Sequence, residues 1–390
     1  MKIFPQFFKF IFTGIIVLLP FHMSSQNDSE PICGTVTSAE TLDYFNTLKP
    51  QLKHYEATFM SSKKTQKNSK SISKNYIPIK AHIIRSSNEV GGMDASELEN
   101  AITNLNNSFS NAFMEFFLCD GINYINNDSF YHFKSNQEQS LVDAHNAPGV
   151  INIYFTETIE NTINESVCGY TYSRKDYDVI LMQNGCAGNA SSLAHELGHY
   201  FSLIHTHGAD NTCITKELVN GNNCSSDGDQ ICDTPADPKL TIENLNNFCR
   251  YIGTETDGNG EHYTPDTKNI MSYSMKGCRS HFSEQQLARM YAYFMTTKNY
   301  LACGGEDAET NISESTNIKI YPNPISGEVI YVKQTSTEEY HSFTISNLMG
   351  QVFVSGKLTN KPIYLSHLPS GSYLMTLRNN NSKMVKRLIK

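Results

Sequence analysis

The stretch HELGHYFSLIH, residues 195–205, constrains this chain more than any other. Positions four apart share one face of a helix, so His195 and His199 present their rings to a common point. Glu196 is turned about 100° away; it reaches a water at that point but is not placed as a ligand. His205 meets the same point only if the helix stops near residue 201 and the chain doubles back. Three neutral imidazoles leave one coordination position open, the arrangement of a catalytic rather than a structural zinc. The spacing predicts His195, His199 and His205 as metal ligands and Glu196 as the general base. His207 competes for the third place; the spacing favours His205. An ordinary helix that happens to carry two histidines is the bland alternative to HExxH alone, and the third histidine weighs against it.

The N-terminus, MKIFPQFFKFIFTGIIVLLPFHMSSQ, has lysines, then an apolar run, then small residues. That is the pattern of a secretory signal peptide over residues 1–25, with an apolar run too short for a comfortable membrane span. Export changes how the ten cysteines read. None forms a CxxC pair, and an even number in an oxidising compartment points to disulfides. Residues 81–305 carry 12 basic and 27 acidic side chains, which argues against nucleic acid as a partner.

Residues 26–75 read as a pro-segment, with helical spacing in Ala39–Phe59 and a lysine-rich linker at Ser61–Tyr76. A catalytic domain is expected over 76–305, of α+β class with a mixed sheet. Its strands are read at Tyr76–Arg85, Met114–Leu118, Val150–Phe155 and Tyr177–Met182. Capping boxes at Asp94/Glu97 and Ser283/Gln286 open two helices, the second running to Ala302. Ser191 or Ser192 is the candidate N-cap of the histidine helix. From Gly208 to Ile270 the composition is that of loops stapled by disulfides. A polar linker covers 306–315, and residues 316–390 alternate in short runs like a small all-β sandwich.

Together, HELGHYFSLIH, NIMSYS (Asn269–Ser274), CDTPADP (Cys232–Pro238) and Cys278 resemble the pappalysin family of metzincin zinc proteases. The resemblance spans about residues 76–303. It implies that Met271 forms the turn beneath the metal and that Tyr273 stabilises the tetrahedral intermediate; packing beside that turn is the plainer role for Tyr273. It further implies a specificity pocket floored beyond the Met-turn, where Lys276 stands, unless Lys276 faces solvent. Family members have glycine where this chain has Ser202, so the backbone there is expected to strain a non-glycine residue. Some relatives hold zinc with a pro-segment side chain, which makes Cys33 a candidate zymogen switch, with cleavage expected in residues 61–75. The even cysteine total leans towards a disulfide for Cys33 instead. Cys168–Cys186 and, as in similar proteins, Cys249–Cys278 are the expected bridges. Asp227, Asp229, Asp233 and Asp237 are candidate calcium ligands or turn caps.

The C-terminal module, through IYPNPISG, LPSGSYLM and VKRLIK, resembles type IX secretion sorting domains. The expectation is a secreted or surface zinc endopeptidase with protein or peptide substrates, a partner in the secretion machinery and no transmembrane segment in the mature chain. The alternatives are an adhesin that retains a protease fold and a processing protease of narrow specificity.

Overall fold

The computed structural model describes residues 31–64, 74–172, 178–210, 214–303, 318–325, 327–334, 340–359, 361–379 and 383–390. Signal-peptide residues 1–25, most of the lysine-rich stretch and the polar linker lie outside the described residues. No helix among the described residues is long and apolar enough to cross a membrane.

The chain opens with β1 (Ile32–Cys33) and α1 (Ala39–Lys64), followed by β2 (Asn75–Arg85), α2 (Ala95–Phe109), β3 (Met114–Asn126), α3 (Asp128–Tyr131), β4 (His132–Lys134) and α4 (Glu138–His145). Next come β5 (Ile151–Thr156), β6 (Thr158–Glu160), β7 (Val167–Thr171), β8 (Val179–Gln183), α5 (Asn184–Ala187) and α6 (Ser192–Tyr200). α7 (Glu284–Tyr293) closes this region and passes into a π-helical turn, Phe294–Lys298, so the closing helix is not one uniform α-helix to Ala302.

Six strands form one mixed sheet in the order β1-β7-β8-β5-β2-β3. β2, β3, β5 and β8 run parallel, and β7 is antiparallel to β8. β5 is buried along its whole length and β2 along most of it, as expected for parallel strands covered on both faces. The main core packs the sheet against the apolar stripe Leu98, Ile102, Leu105 and Phe109 of α2 and against Leu197, Tyr200 and Phe201 at α6. α2 starts with the capping box expected at Asp94 and Glu97. Ser191 takes the N-cap position of α6 but makes no side-chain cap bond; the Asn189 side chain accepts the Ser191 and Ser192 amides instead.

Among the described residues, no named helix or strand lies between α6 and α7. That stretch is held by Cys224–Cys232 and Cys249–Cys278. Cys168–Cys186 joins β7 to α5. Cys119–Cys303, unexpected from the sequence, closes a separation of 184 residues between β3 and the end of the region. Cys213 lies outside the described residues.

The C-terminal strands are β9 (Ile318–Tyr321), β10 (Val329–Gln334), β11 (Ser342–Ser346), β12 (Val352–Lys357), β13 (Ile363–Tyr364), β14 (Ser372–Arg378) and β15 (Lys383–Ile389). They form two antiparallel sheets, β13-β10-β9 and β12-β11-β14-β15. A core of Ile330, Val332, Phe343, Ile345, Tyr373, Met375 and Leu377 lies between them. This is the expected all-β module.

Candidate active site

α6 ends where the chain needs it to. Ser202 adopts φ +72°, and the amides of Ser202 and Leu203 return to the carbonyls of His199 and Gly198. The chain reverses there and brings His205 back over His199. The Ser202 hydroxyl is buried with no hydrogen-bond partner among the described residues, so it does nothing to offset the strained backbone. Gly198 is required for a different reason. A Cβ there would collide with the sulfur of Met271, which is fully buried directly beneath the helix.

The Nε2 atoms of His195 and His205 lie 3.1 and 3.0 Å from His199 Nε2. His195 Nδ1 donates to the Ile270 carbonyl at 2.6 Å, and His199 Nδ1 donates to the Leu203 carbonyl at 2.8 Å. Both rings are thereby fixed with an Nε2 lone pair turned to the common point. Burial lowers His199 to about 4 and takes His195 and His205 well below the ordinary imidazole range, so the rings are neutral. Cys33 joins them: its thiol is not in a disulfide, its sulfur lies 3.5 Å from His199 Nε2, and the four donor atoms lie within 4.8 Å of one another. Three imidazole nitrogens and a sulfur form a donor set suited to zinc.

Glu196 is 1% exposed, and burial raises its carboxyl to about 7. Its Oε2 accepts the Thr35 hydroxyl at 2.9 Å, and Thr35 Oγ1 also accepts the Thr171 amide at 3.0 Å. Strand β1 lies parallel to β7, with the Gly34 amide donating to the Gly169 carbonyl. Tyr273 packs edge-on to His205 with ring centroids 4.4 Å apart. His207, set aside as a ligand, stacks on the outer face of His205 and is not part of the four-donor cluster.

The segment beyond Met271 runs along the first turn of α6. Lys276 is half-buried, its ammonium 3.7 Å from Cys186 Sγ, and its carbonyl accepts the Ser191 hydroxyl. Arg279, not singled out from the sequence, is 9% exposed. It donates to the Ser192 hydroxyl at 3.2 Å, and its other terminal nitrogen lies 3.3 Å from His195 Nδ1. Its place directly after Cys278 was the available signal.

None of the four aspartates belongs to a group of three or more His, Cys, Asp or Glu donor atoms within 4.8 Å of one another among the described residues. Asp229 accepts Thr234 and the Ile231 amide, Asp233 accepts Ser283 and the Gln285 amide, and Asp237 accepts Thr206 and two loop amides. Asp227 takes the Ser226 hydroxyl. They act as the caps of tight turns.

Residues 159–295 match the family described as pregnancy-associated plasma protein-A, and residues 319–390 match the secretion system C-terminal sorting domain. Over the first segment the chain is similar to the pappalysin-type peptidases. Two extracellular metalloproteases of Colletotrichum graminicola resemble the chain. One is 26% identical over 160 residues, covering 37% of this chain and 49% of the relative. The other is 24% identical over 232 residues, covering 55% of this chain and 74% of the relative. The alignment thus spans about half the length of the first of these relatives. A promirolysin mutant from Tannerella forsythia aligns with a TM-score of 0.45 at 17% identity, covering 69% of this chain and 96% of that one. The matched residues include the histidine helix and Met271, and start after β5.

Proposed function

We propose that this chain is the latent precursor of a secreted zinc endopeptidase acting on protein or peptide substrates. The observation that carries the reading is the convergence of three Nε2 atoms beside the buried Glu196 carboxylate. His195, His199 and His205 would hold the metal. Bound there, zinc supplies Lewis-acid polarisation of a peptide carbonyl and of water. Glu196 takes the proton of the attacking water and passes it to the leaving amine. Tyr273, packed against His205, is positioned to turn its hydroxyl towards the oxyanion as it develops.

Latency follows from β1. It occupies the edge of β7 in the direction opposite to the antiparallel neighbour β8, sets the Cys33 sulfur at the metal set and parks the Thr35 hydroxyl on Glu196. Cleavage in residues 61–75 would release it. The sorting domain fits a partner in type IX secretion machinery and an extracellular or surface destination.

The test uses the chain after pro-segment removal. About one zinc per molecule is expected, with Glu196→Ala retaining the metal and losing at least about a thousandfold in peptide cleavage. Near-normal turnover in that variant would sink the mechanism.

A further inference from the structure

β14 is buried on both faces, which is unusual for an antiparallel strand at the surface of a small module. Tyr373, Met375 and Leu377 face the module's own core. Leu374 points the other way and is 2% exposed, because it packs on Phe117, Cys119, Val150 and Cys303 of the preceding domain. β3 has the matching pattern. Met114, Phe116 and Leu118 enter the main core, while Phe117 and Cys119 turn to the module and Glu115 binds its Arg387.

β3 is an edge strand of the six-stranded sheet. The turn Asn347–Gln351, which joins β11 to β12, is seated on that edge. The Leu118 amide donates to the Leu348 carbonyl at 2.9 Å, and a Cβ at Gly350, whose φ is +75°, would stand 3.0 Å from the Leu118 carbonyl. Glu115, 6% exposed, accepts Lys74 at 2.6 Å and Arg387 at 3.3 Å. One module thus plugs an edge amide, covers Phe117 and neutralises a buried carboxylate. An uncovered edge with an apolar flank invites pairing with another chain.

We propose that the sorting domain has a second function, as a cap on the β3 edge that prevents this edge from pairing with another copy of the chain.

The test uses the full chain in a Glu196→Ala background, which excludes self-cleavage. Leu374→Asp is expected to speed amide exchange across residues 114–119 at least about tenfold, with exchange in β11 unchanged, and to give concentration-dependent self-association by light scattering. Tyr364→Asp, on an exposed side chain of the module, is expected to do neither. Should Leu374→Asp also unfold β11, Arg387→Glu replaces it, with the same expectation. Unchanged exchange at 114–119 in the variant whose module stays folded overturns the proposal. So does an opened edge that remains monomeric at every concentration.

Discussion

The Thr35 hydroxyl sits 2.9 Å from the Glu196 carboxylate while Cys33, two residues earlier, sits 3.5 Å from His199. One short strand therefore engages both halves of the catalytic machinery. Gly34 eases this fit, since a Cβ there would stand 3.0 Å from the Val167 side chain, which would have to yield.

Latency should accordingly weaken in two steps. In the uncut chain, Cys33→Ser is expected to raise peptide-cleaving activity about tenfold or more, because a neutral hydroxyl is a far poorer zinc ligand than a thiolate. Thr35→Val should add a smaller gain, about threefold to tenfold, the worth of one ordinary hydrogen bond. The check is initial rate before any cleavage in residues 61–75. A Cys33→Ser precursor as silent as the parent would remove Cys33 from the switch.

The acidic loop predicts a stability profile. Burial, reinforced by Asp229, Asp237 and Asp227, raises Glu217 to about 8; burial raises Asp229 to about 7. Both bind a proton in the folded chain at a pH where the unfolded chain has released it. Stability is therefore fully present below about pH 4 and is lost as pH rises towards 8. Above about pH 6.5, where the buried histidines no longer contribute a slope of the opposite sign, the thermal midpoint in calcium-free buffer is expected to fall towards pH 8. Glu217→Gln should flatten the upper part of that fall. A midpoint level across this range, or an unchanged slope in the variant, would refute the account.

Lys298 is fully buried and pairs with Asp178 at 2.8 Å, and its ammonium lies 4.9 Å from the Tyr200 ring centroid. Tyr200, next to His199, and Tyr300 both donate to the same carboxylate. The cluster anchors the C-terminal end of α6 to the last turn of the domain. Lys298→Met is expected to cost about 3 kcal/mol, because it leaves a mostly buried carboxylate with its two tyrosine donors but without its cation. Adding Asp178→Asn should recover part of that loss. Urea unfolding of both variants decides, and a single substitution costing under about 1 kcal/mol would mean that water already shares the site.

What the sequence made legible follows the range of each signal. Period and capping are local, so α2, β2 and the disulfide-stapled loop were readable from composition and spacing. The turn at Ser202 was readable because His205 had to return. The place of Cys33 beside the histidines was legible only through the family resemblance, and the even cysteine count leaned the other way, since it says nothing about which thiol stands apart. Cys119–Cys303 and the docking of Leu374 on Phe117 depend on strand order across the whole chain, which no local pattern encodes. The aspartates stayed ambiguous for the opposite reason: clustering in sequence serves a cation site and a series of turn caps equally well, and only the hydrogen bonds show which amides and hydroxyls the oxygens accept.

Substrate choice rests on the strip after the Met-turn. Lys276 is tucked against Cys186, and Arg279 lies between Ser192 and His195. Two cations thus flank the first turn of α6, on the side where the family resemblance puts the pocket for the residue following the cut. A cationic side chain entering there meets like charge in a partly dry setting, at a cost on the order of 1–2 kcal/mol. The acidic balance of residues 81–305 pulls the other way, but at longer range, where salt screens it. Cleavage before Arg or Lys is therefore expected to be weak, with acidic, polar or apolar residues preferred. Lys276→Ala should raise relative cleavage before Arg roughly tenfold, the equivalent of about 1.4 kcal/mol. A peptide-library profile with and without a zinc chelator measures this. Strong preference for Arg or Lys after the cut, unchanged in Lys276→Ala, would show that Lys276 does not set the pocket's selectivity.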